Sequence, residues 1–172
     1  IIPRVRVVWL GANWPAAGEY NLDNDTDSVN AVIDSGVALY VALVRYGEPS
    51  GTDAVRVQTS EIQATMPGLG PHVDPPVQGR TGGTFSCFGD YSVELFVASG
   101  SWDRALFDMA AVAVAKNPSW AEPLSVPAPM LVANAWQDRP DNPHTIVFYE
   151  SFDRDAIIAD FFDTMQNYVL PQ

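Results

Sequence analysis

The sequence predicts an α/β protein with an open, mostly parallel, Rossmann-like sheet flanked by helices, and two observations carry this prediction. The runs at residues 4–10 and 37–45 are short, rich in Val and Leu, and bounded by glycine, as buried strands are. Residues 26–35 between them have the pattern of a helix that Gly36 ends. A strand, a helix and a second strand in this order form the βαβ unit of a parallel sheet.

The rest of the chain gives weaker signals, and we treat residues 1–172 as a single α/β region. The Gly/Pro-rich stretch at residues 67–83 is predicted to be a long structureless loop, typical of a functional lid or a mobile segment. The other expected elements are a possible strand at 54–57, a short helix after Thr59, helices at 91–98 and 104–116, strands near 130–135 and 144–149, and a last helix from Asp153.

Composition excludes several partners. The 21 acidic and 9 basic residues give a net charge of -12, which argues against binding to nucleic acid or to an anionic membrane surface. No apolar run approaches the length that spans a bilayer, so we expect a soluble chain whose compartment stays open. The single cysteine, Cys87, excludes an intrachain disulfide. Because the chain starts at Ile1 without a methionine, we expect a processed or truncated polypeptide.

The loop that leaves the first strand carries the strongest functional signal. In Gly11–Asn21, the side chains of Glu19 and Asn21 are two residues apart and point the same way in an extended segment, while Asn13 can fold back from the strand end. A carboxylate and two amides match the donors and acceptors of sugar hydroxyl groups. The alternative is that both asparagines are turn residues that satisfy local backbone groups.

Asp108 is the second signal, because it interrupts the apolar run LFDMAAV. A carboxylate in such a helix is expensive to bury unless a cation or hydrogen-bond donors compensate it. Calcium takes six to eight oxygen ligands, so Asp108 alone cannot form a calcium site. A helix-start cap, or an ion pair with Arg104, remains the alternative.

Other patterns carry little chemistry. Residues 23–34 resemble an EF-hand loop but have Ser28 where glycine is required, so we expect Asp25 or Thr26 to cap the next helix instead. Ser86 lacks an identifiable base, and Cys87 beside two phenylalanines is expected to be a packed thiol. His72 lies in the long loop, where a lone histidine is usually a surface residue.

Taken together, Asn13, the GEYN segment with Glu19 and Asn21, and the later FDMAAV helix resemble the C-terminal half of the inosine–uridine-preferring nucleoside hydrolases. The resemblance runs from about Val5 to Phe162. It implies an open α/β sheet and the hydrolysis of the N-glycosidic bond of ribonucleosides, with Asn13, Glu19 and Asn21 on the ribose hydroxyls and Asp108 as a ligand of Ca²⁺. Trp14 could stack on the base.

The sequence departs from the family in two places. The N-terminal Asp-rich motif, which supplies the general base and most metal ligands, is absent from the 172 residues, so a complementary N-terminal fragment or chain has to provide it. Phe107 stands where several family members have a histidine that protonates the leaving base.

Three interpretations follow from the sequence. The first is half of a calcium-dependent nucleoside hydrolase, the second a catalytically inactive nucleoside- or sugar-binding protein, and the third an interaction domain with a vestigial pocket. A homo-oligomer is compatible with each of them.

Overall fold

The structure is a computed structural model that describes residues 4–169, and it divides into two compact units. The first comprises the chain up to Val55 together with Leu106–Asp153, and the second comprises Arg56–Ala105 together with the segment from Arg154. The expectation of a single region over residues 1–172 stays a prediction.

A four-stranded sheet organises the first unit. Its order is β1 (Arg6–Leu10), β2 (Ala38–Ala42), β10 (Thr145–Glu150) and β7 (Glu122–Pro127). The first three strands run parallel, and β7 is antiparallel to β10. The fold is therefore mixed α/β with a mostly parallel sheet, as the βαβ pattern of the sequence predicts.

Two helices connect β1 to β2, and side-chain caps fix where each begins. The first, α1 (Tyr20–Asn24), is capped by Glu19, and the second, α2 (Thr26–Asp34), is capped by Asp25. The Asp25 carboxylate accepts from the Ser28 backbone N–H at 3.0 Å and from its hydroxyl at 2.6 Å, which lowers the pKa of Asp25. The predicted helix cap is thus confirmed, and it replaces the EF-hand alternative.

The core of the first unit lies where the sheet meets its helices. Helix α5 (Phe107–Lys116) contributes the small buried residues Ala110, Ala111 and Ala113. The sheet and α2 contribute large side chains that are almost fully buried: Ile33, Leu39, Val41, Leu43, Ile146 and Phe148. The hairpin of β8 (Met130–Val132) and β9 (Ala135–Gln137) adds Leu131 to this cluster.

The second unit has two small antiparallel pairs and three helices among the described residues. The pairs are β3 (Arg56–Gln58) with β6 (Asp103–Ala105), and β4 (His72–Gln78) with β5 (Thr84–Cys87). The helices are α3 (Thr59–Thr65), α4 (Phe88–Ala98) and α6 (Arg154–Gln166).

Three predictions about local structure were wrong. The stretch at 67–83 contains strand β4 and its turn rather than a structureless loop, because β5 supplies a pairing partner. The strand expected near 130–135 is instead the hairpin of β8 and β9, which turns at Ala133 and Asn134. Strand β7, which was not expected, tolerates proline because it lies at the edge of the sheet. The loop expected after the first strand runs into a short helix, α1, which its Glu19 cap stabilises.

None of the helices between residues 4 and 169 combines the length and the apolar character that crossing a membrane requires.

Candidate functional site

The candidate site lies where the parallel strands β1, β2 and β10 end. Open parallel sheets bind ligands at this carboxyl edge. After β1, the Gly11 N–H donates to Ala42 O at 3.2 Å, so the first residue of the loop still follows β2. After β2, the Leu43 N–H donates to the carbonyl oxygen of Tyr149 near the end of β10 at 3.1 Å. These bonds hold the loops after the three strands at one edge.

Glu19 is the anchor of the loop after β1. Its side chain is 3% exposed, and Oε2 accepts hydrogen bonds from the backbone N–H groups of Ala12 (3.1 Å), Asn21 (3.0 Å) and Leu22 (3.0 Å). Gly18 precedes it with φ +75°, a conformation that favours glycine and lets the chain turn into α1. One carboxylate oxygen therefore joins the end of β1 to the start of α1.

Ala12 shows how tightly this loop is held. It is fully buried and has φ +68°, in the left-handed region that a residue with a Cβ adopts at a cost of about 1 kcal/mol or more. Its N–H donates to Glu19, and its carbonyl accepts from the Val44 N–H at 2.9 Å. The backbone bends at the point where the candidate ligand-binding residues begin.

The two asparagines of the loop are fastened through their Nδ2 atoms. Asn13 Nδ2 donates to Gly18 O, and Asn21 Nδ2 donates to Leu10 O at 3.2 Å. This is the role that the turn interpretation predicts. Asn13 Oδ1, in contrast, is buried and has no hydrogen-bond partner within residues 4–169, while the Asn21 side chain is exposed. A buried acceptor without a donor needs a ligand or water to satisfy it.

Tyr46, which the sequence analysis did not select, reaches Glu19 from the loop after β2. Partial burial raises the pKa of its hydroxyl, and the negative charge of Glu19, which accepts a hydrogen bond from it, raises it further. The hydroxyl therefore stays protonated at neutral pH and is a donor. Its position two residues after the buried run at 41–44 is the signal that could have identified it, because ligand-binding residues often follow parallel strands.

Arg45 ties the same edge together. Its guanidinium pairs with Glu150 at 2.6 Å, and it donates to Ser50 Oγ at 3.0 Å and to Trp14 O at 3.1 Å. These partners follow or end β1, β2 and β10, and the Arg45 side chain is 13% exposed. Such a buried, multiply bonded arginine fixes the geometry of the loops rather than a ligand.

Asp108 lies at the first turn of α5 and is exposed. It is exposed rather than buried in the apolar helix, so the energetic argument that its burial demands a cation does not apply. No side chain caps this helix start, and Arg104 donates to Leu95 O at 3.2 Å and lies over the Phe96 ring. Neither alternative role therefore occupies Asp108.

Phe107 links this helix start to the rest of the edge. Its ring meets the ring of Tyr46 edge to face, with 6.0 Å between centroids. Because Tyr46 also bonds Glu19, the start of α5 and the loop after β1 are joined through one aromatic side chain. The Phe107 side chain has no proton to donate.

Trp14 and His72 have other contacts. The Trp14 ring stacks on Phe148 with 4.8 Å between centroids, so one of its faces is covered by the core. His72 belongs to the second unit, where its Nδ1 lies 2.9 Å from Gly70 O. Cys87 is buried and caps α4 through its sulfur, as a packed thiol would be.

Residues 4–169 contain no group of three or more His, Cys, Asp or Glu side chains placed to hold a metal ion. They do not by themselves fit a calcium site, because Ca²⁺ requires six to eight oxygen ligands.

Comparison with known proteins gives a match in structure. The chain is similar to a solved plant nucleoside hydrolase, the PpNRh1 enzyme, with a TM-score of 0.62 and 14% sequence identity. The match covers 92% of this chain and 51% of the plant chain, so the chain spans about half the length of the structure it matches. No family model and no curated protein matches the sequence. The similarity shows a nucleoside hydrolase-like fold.

Proposed function

We propose that the chain is the C-terminal half of a nucleoside hydrolase of the inosine–uridine-preferring type, and that it takes part in hydrolysis of the N-glycosidic bond of ribonucleosides. The observation that carries the proposal is the fold match to a nucleoside hydrolase over 92% of the chain. The loop at the carboxyl end of β1, selected from the sequence for its sugar-binding residue types, lies at the edge where such sheets bind ligands. Both the fold and the residue types of the loop are consistent with this activity.

In this proposal the loop after β1 binds the ribose. Asn13 Oδ1, a buried acceptor with no donor in the described part of the chain, accepts from one hydroxyl, and the exposed Asn21 amide binds another. Glu19 holds the loop with Oε2 and accepts from a ribose hydroxyl with its remaining lone pairs. The Tyr46 hydroxyl donates a hydrogen bond to the Glu19 carboxylate and so keeps this carboxylate oriented.

The reaction breaks the bond between C1′ of ribose and the base nitrogen, while water adds to C1′ and the base leaves with a proton. Its transition state resembles an oxocarbenium ion, which nearby negative oxygen atoms stabilise. The chain supplies such oxygens through Glu19 and Asp108. It supplies no proton donor at Phe107, so we expect nucleosides whose base leaves without protonation there to be preferred.

Calcium enters this proposal only in the completed molecule. Asp108 is exposed at the start of α5 and provides one carboxylate, and the remaining ligands and the general base come from a complementary N-terminal half. When bound, the ion would supply positive charge that polarises the hydroxyl groups of the substrate and water.

The experiment mixes the chain with the complementary half and measures release of base from inosine and uridine with and without Ca²⁺. We expect activity in the mixture that neither part shows alone, and that chelation abolishes. Asn13→Ala and Asp108→Ala should each lower kcat/KM by about 100-fold or more, since one well-placed charged or polar contact contributes a few kcal/mol. Glu48→Ala, at an exposed carboxylate, is the matched control and should leave activity unchanged. Activity unaffected by Asn13→Ala and Asp108→Ala would exclude the proposed roles.

A second function, nucleoside binding without turnover, is favoured by the phenylalanine at position 107. Calorimetry with inosine separates the two functions. Binding that depends on Asn13 without release of base supports the inactive binding protein, and binding with release supports the hydrolase.

A further inference from the structure

A cleft of about 510 Å³ lies at the amino ends of β2 and β10, whereas the candidate site lies at the carboxyl ends of these strands. We call it the Arg139 cleft. Its volume is within the range of roughly 300–1,000 Å³ that small-molecule sites occupy. Asp34 at the end of α2 lines one side, and the segment before β10 lines the other with Arg139, Asp141, Asn142 and His144.

Hydrogen bonds fix the segment before β10, so the cleft is already formed. The Asn142 N–H donates to Arg139 O at 2.9 Å, which closes a turn. The Asn142 side chain accepts from the His144 N–H at 3.1 Å and donates to Ala128 O at 3.0 Å. Ala128 is fully buried and donates its own N–H to His144 O at 2.9 Å. The Asn142 side chain is therefore used within the wall, and a ligand meets the other polar groups.

The Arg139 guanidinium has one nitrogen left for a ligand. Its Nε donates to Ala128 O at 2.9 Å, and its Nη2 donates to Asp34 Oδ1 at 2.7 Å and to Pro129 O at 2.9 Å. These bonds leave only Nη1 for a further acceptor. A carboxylate or phosphate usually binds arginine through two parallel N–H groups on neighbouring nitrogens. That arrangement is already used here, whereas a hydroxyl oxygen needs a single N–H.

The carboxylates of the cleft supply acceptors. Asp34 pairs with Arg139 through Oδ1, and its side chain is 52% exposed, so Oδ2 can accept from a ligand. Asp141 is exposed at the turn. Two carboxylates beside one guanidinium, in a chain with a net charge of -12, disfavour an anion as the ligand. The cleft is also not among metal-binding clusters, because residues 4–169 contain no group of three or more His, Cys, Asp or Glu placed to hold a metal ion.

His144 adds a polar atom that lacks a partner. The residue is partly buried, and its Nε2 is buried with no hydrogen-bond partner within the described part of the chain. A buried polar atom of this kind needs a ligand or water to satisfy it. An apolar ligand would leave both this atom and Arg139 Nη1 unsatisfied, so the cleft favours a ligand with several polar groups.

We propose that the Arg139 cleft binds a neutral monosaccharide, at a site separate from the candidate site. Each sugar hydroxyl both donates and accepts a hydrogen bond. Neighbouring hydroxyls donate to Asp34 Oδ2 and to the Asp141 carboxylate and accept from Arg139 Nη1, and a further hydroxyl pairs with His144 Nε2. A neutral sugar brings no charge that this acidic chain repels.

The test follows the imidazole nitrogens by long-range ¹H–¹⁵N NMR while D-ribose or D-glucose is added. The chain has two histidines, His72 and His144, and His72→Asn assigns their signals. We expect the His144 signals to shift and saturate, with a Kd in the millimolar range. His72, which lies in the second unit, is an internal control and should not shift.

Variants locate the binding. Asp34→Asn and Asp141→Asn each weaken a hydrogen bond to a charged acceptor and should raise the Kd by about tenfold. Both carboxylates are at the surface, so circular dichroism should show an unchanged fold. Asp27→Asn, the same change at an exposed residue of α2 outside the cleft, is the matched control and should leave the Kd unchanged. Asn13→Ala, in the loop after β1, should also leave the His144 response unchanged.

Four results would overturn the inference. The first is a His144 shift that does not saturate with either sugar up to about 100 mM, which is nonspecific contact. The second is a saturating shift with inorganic phosphate or glycine but with neither sugar, which identifies an anion or a zwitterion as the ligand. The third is a sugar response that both aspartate variants leave intact. The fourth is a response that Asn13→Ala abolishes, which places the sugar at the candidate site alone.

Discussion

Replacing Glu19 with alanine should strongly destabilise the first unit, because one buried oxygen serves three backbone donors. Its Oε2 accepts from the N–H groups of Ala12, Asn21 and Leu22. Ala12 and Leu22 are fully buried, so water does not replace the lost acceptor there, and each unsatisfied N–H costs about 1–3 kcal/mol. The Asn21 N–H is nearer to solvent and costs less. We expect a loss of about 3 kcal/mol in the free energy of unfolding.

Urea unfolding followed by circular dichroism measures this loss. With an m value of about 2 kcal/mol/M, the midpoint should fall by about 1.5 M. Glu19→Gln keeps one oxygen acceptor but loses the charge, so about 1 kcal/mol should be lost. Glu48→Ala, at an exposed carboxylate in the next loop, is the control. Surface substitutions usually change the free energy of unfolding by less than about 0.5 kcal/mol. If the free energy of unfolding of Glu19→Ala differs from that of the unsubstituted chain by no more than this, the anchoring role of the carboxylate is refuted.

The other predictions concern single contacts of the first unit. Because the pKa of Tyr46 is raised in the folded state, its protonated hydroxyl stabilises the fold below the ordinary pKa of 10.0, and this stabilisation is lost as pH rises through the higher pKa of the folded state. Tyr46→Phe should therefore remove one tyrosine that ionises late when the ultraviolet absorbance is followed against pH. Gly51→Ala should cost about 2 kcal/mol or more in urea unfolding, since a Cβ would lie 2.0 Å from the Val44 carbonyl oxygen; a neutral result would mean that the loop shifts freely. Because the pKa of Asp25 is lowered in the folded state, its ionised carboxylate stabilises the fold at pH values above the ordinary pKa of 3.8. This stabilisation is lost as pH falls through the lower pKa of the folded state. Asp25→Ala should therefore flatten the acid limb of the stability curve, and an unchanged limb would contradict the Ser28 cap.

The elements that could be predicted from sequence are those whose signals are local. The βαβ unit follows from two apolar runs and a helical segment, and the cap at Asp25 follows from its residue type before a helix. The hairpin of β4 and β5 and the strand β7 were missed because their residues are exposed or rich in proline. Their strand conformation depends on partners distant in sequence.

For the candidate site, the sequence by itself determined the residue types and the loop that carries them: Asn13, Glu19 and Asn21 follow the first strand, and their chemistry suits hydroxyl groups. Only the tertiary structure decided what those atoms do. It places one Glu19 oxygen on three backbone N–H groups, brings Tyr46 from another strand to the same carboxylate, and turns Asp108 toward solvent. Residue spacing sets which side chains are near one another along the chain, whereas contacts between strands and the exposure of a helix face depend on how the whole sheet packs.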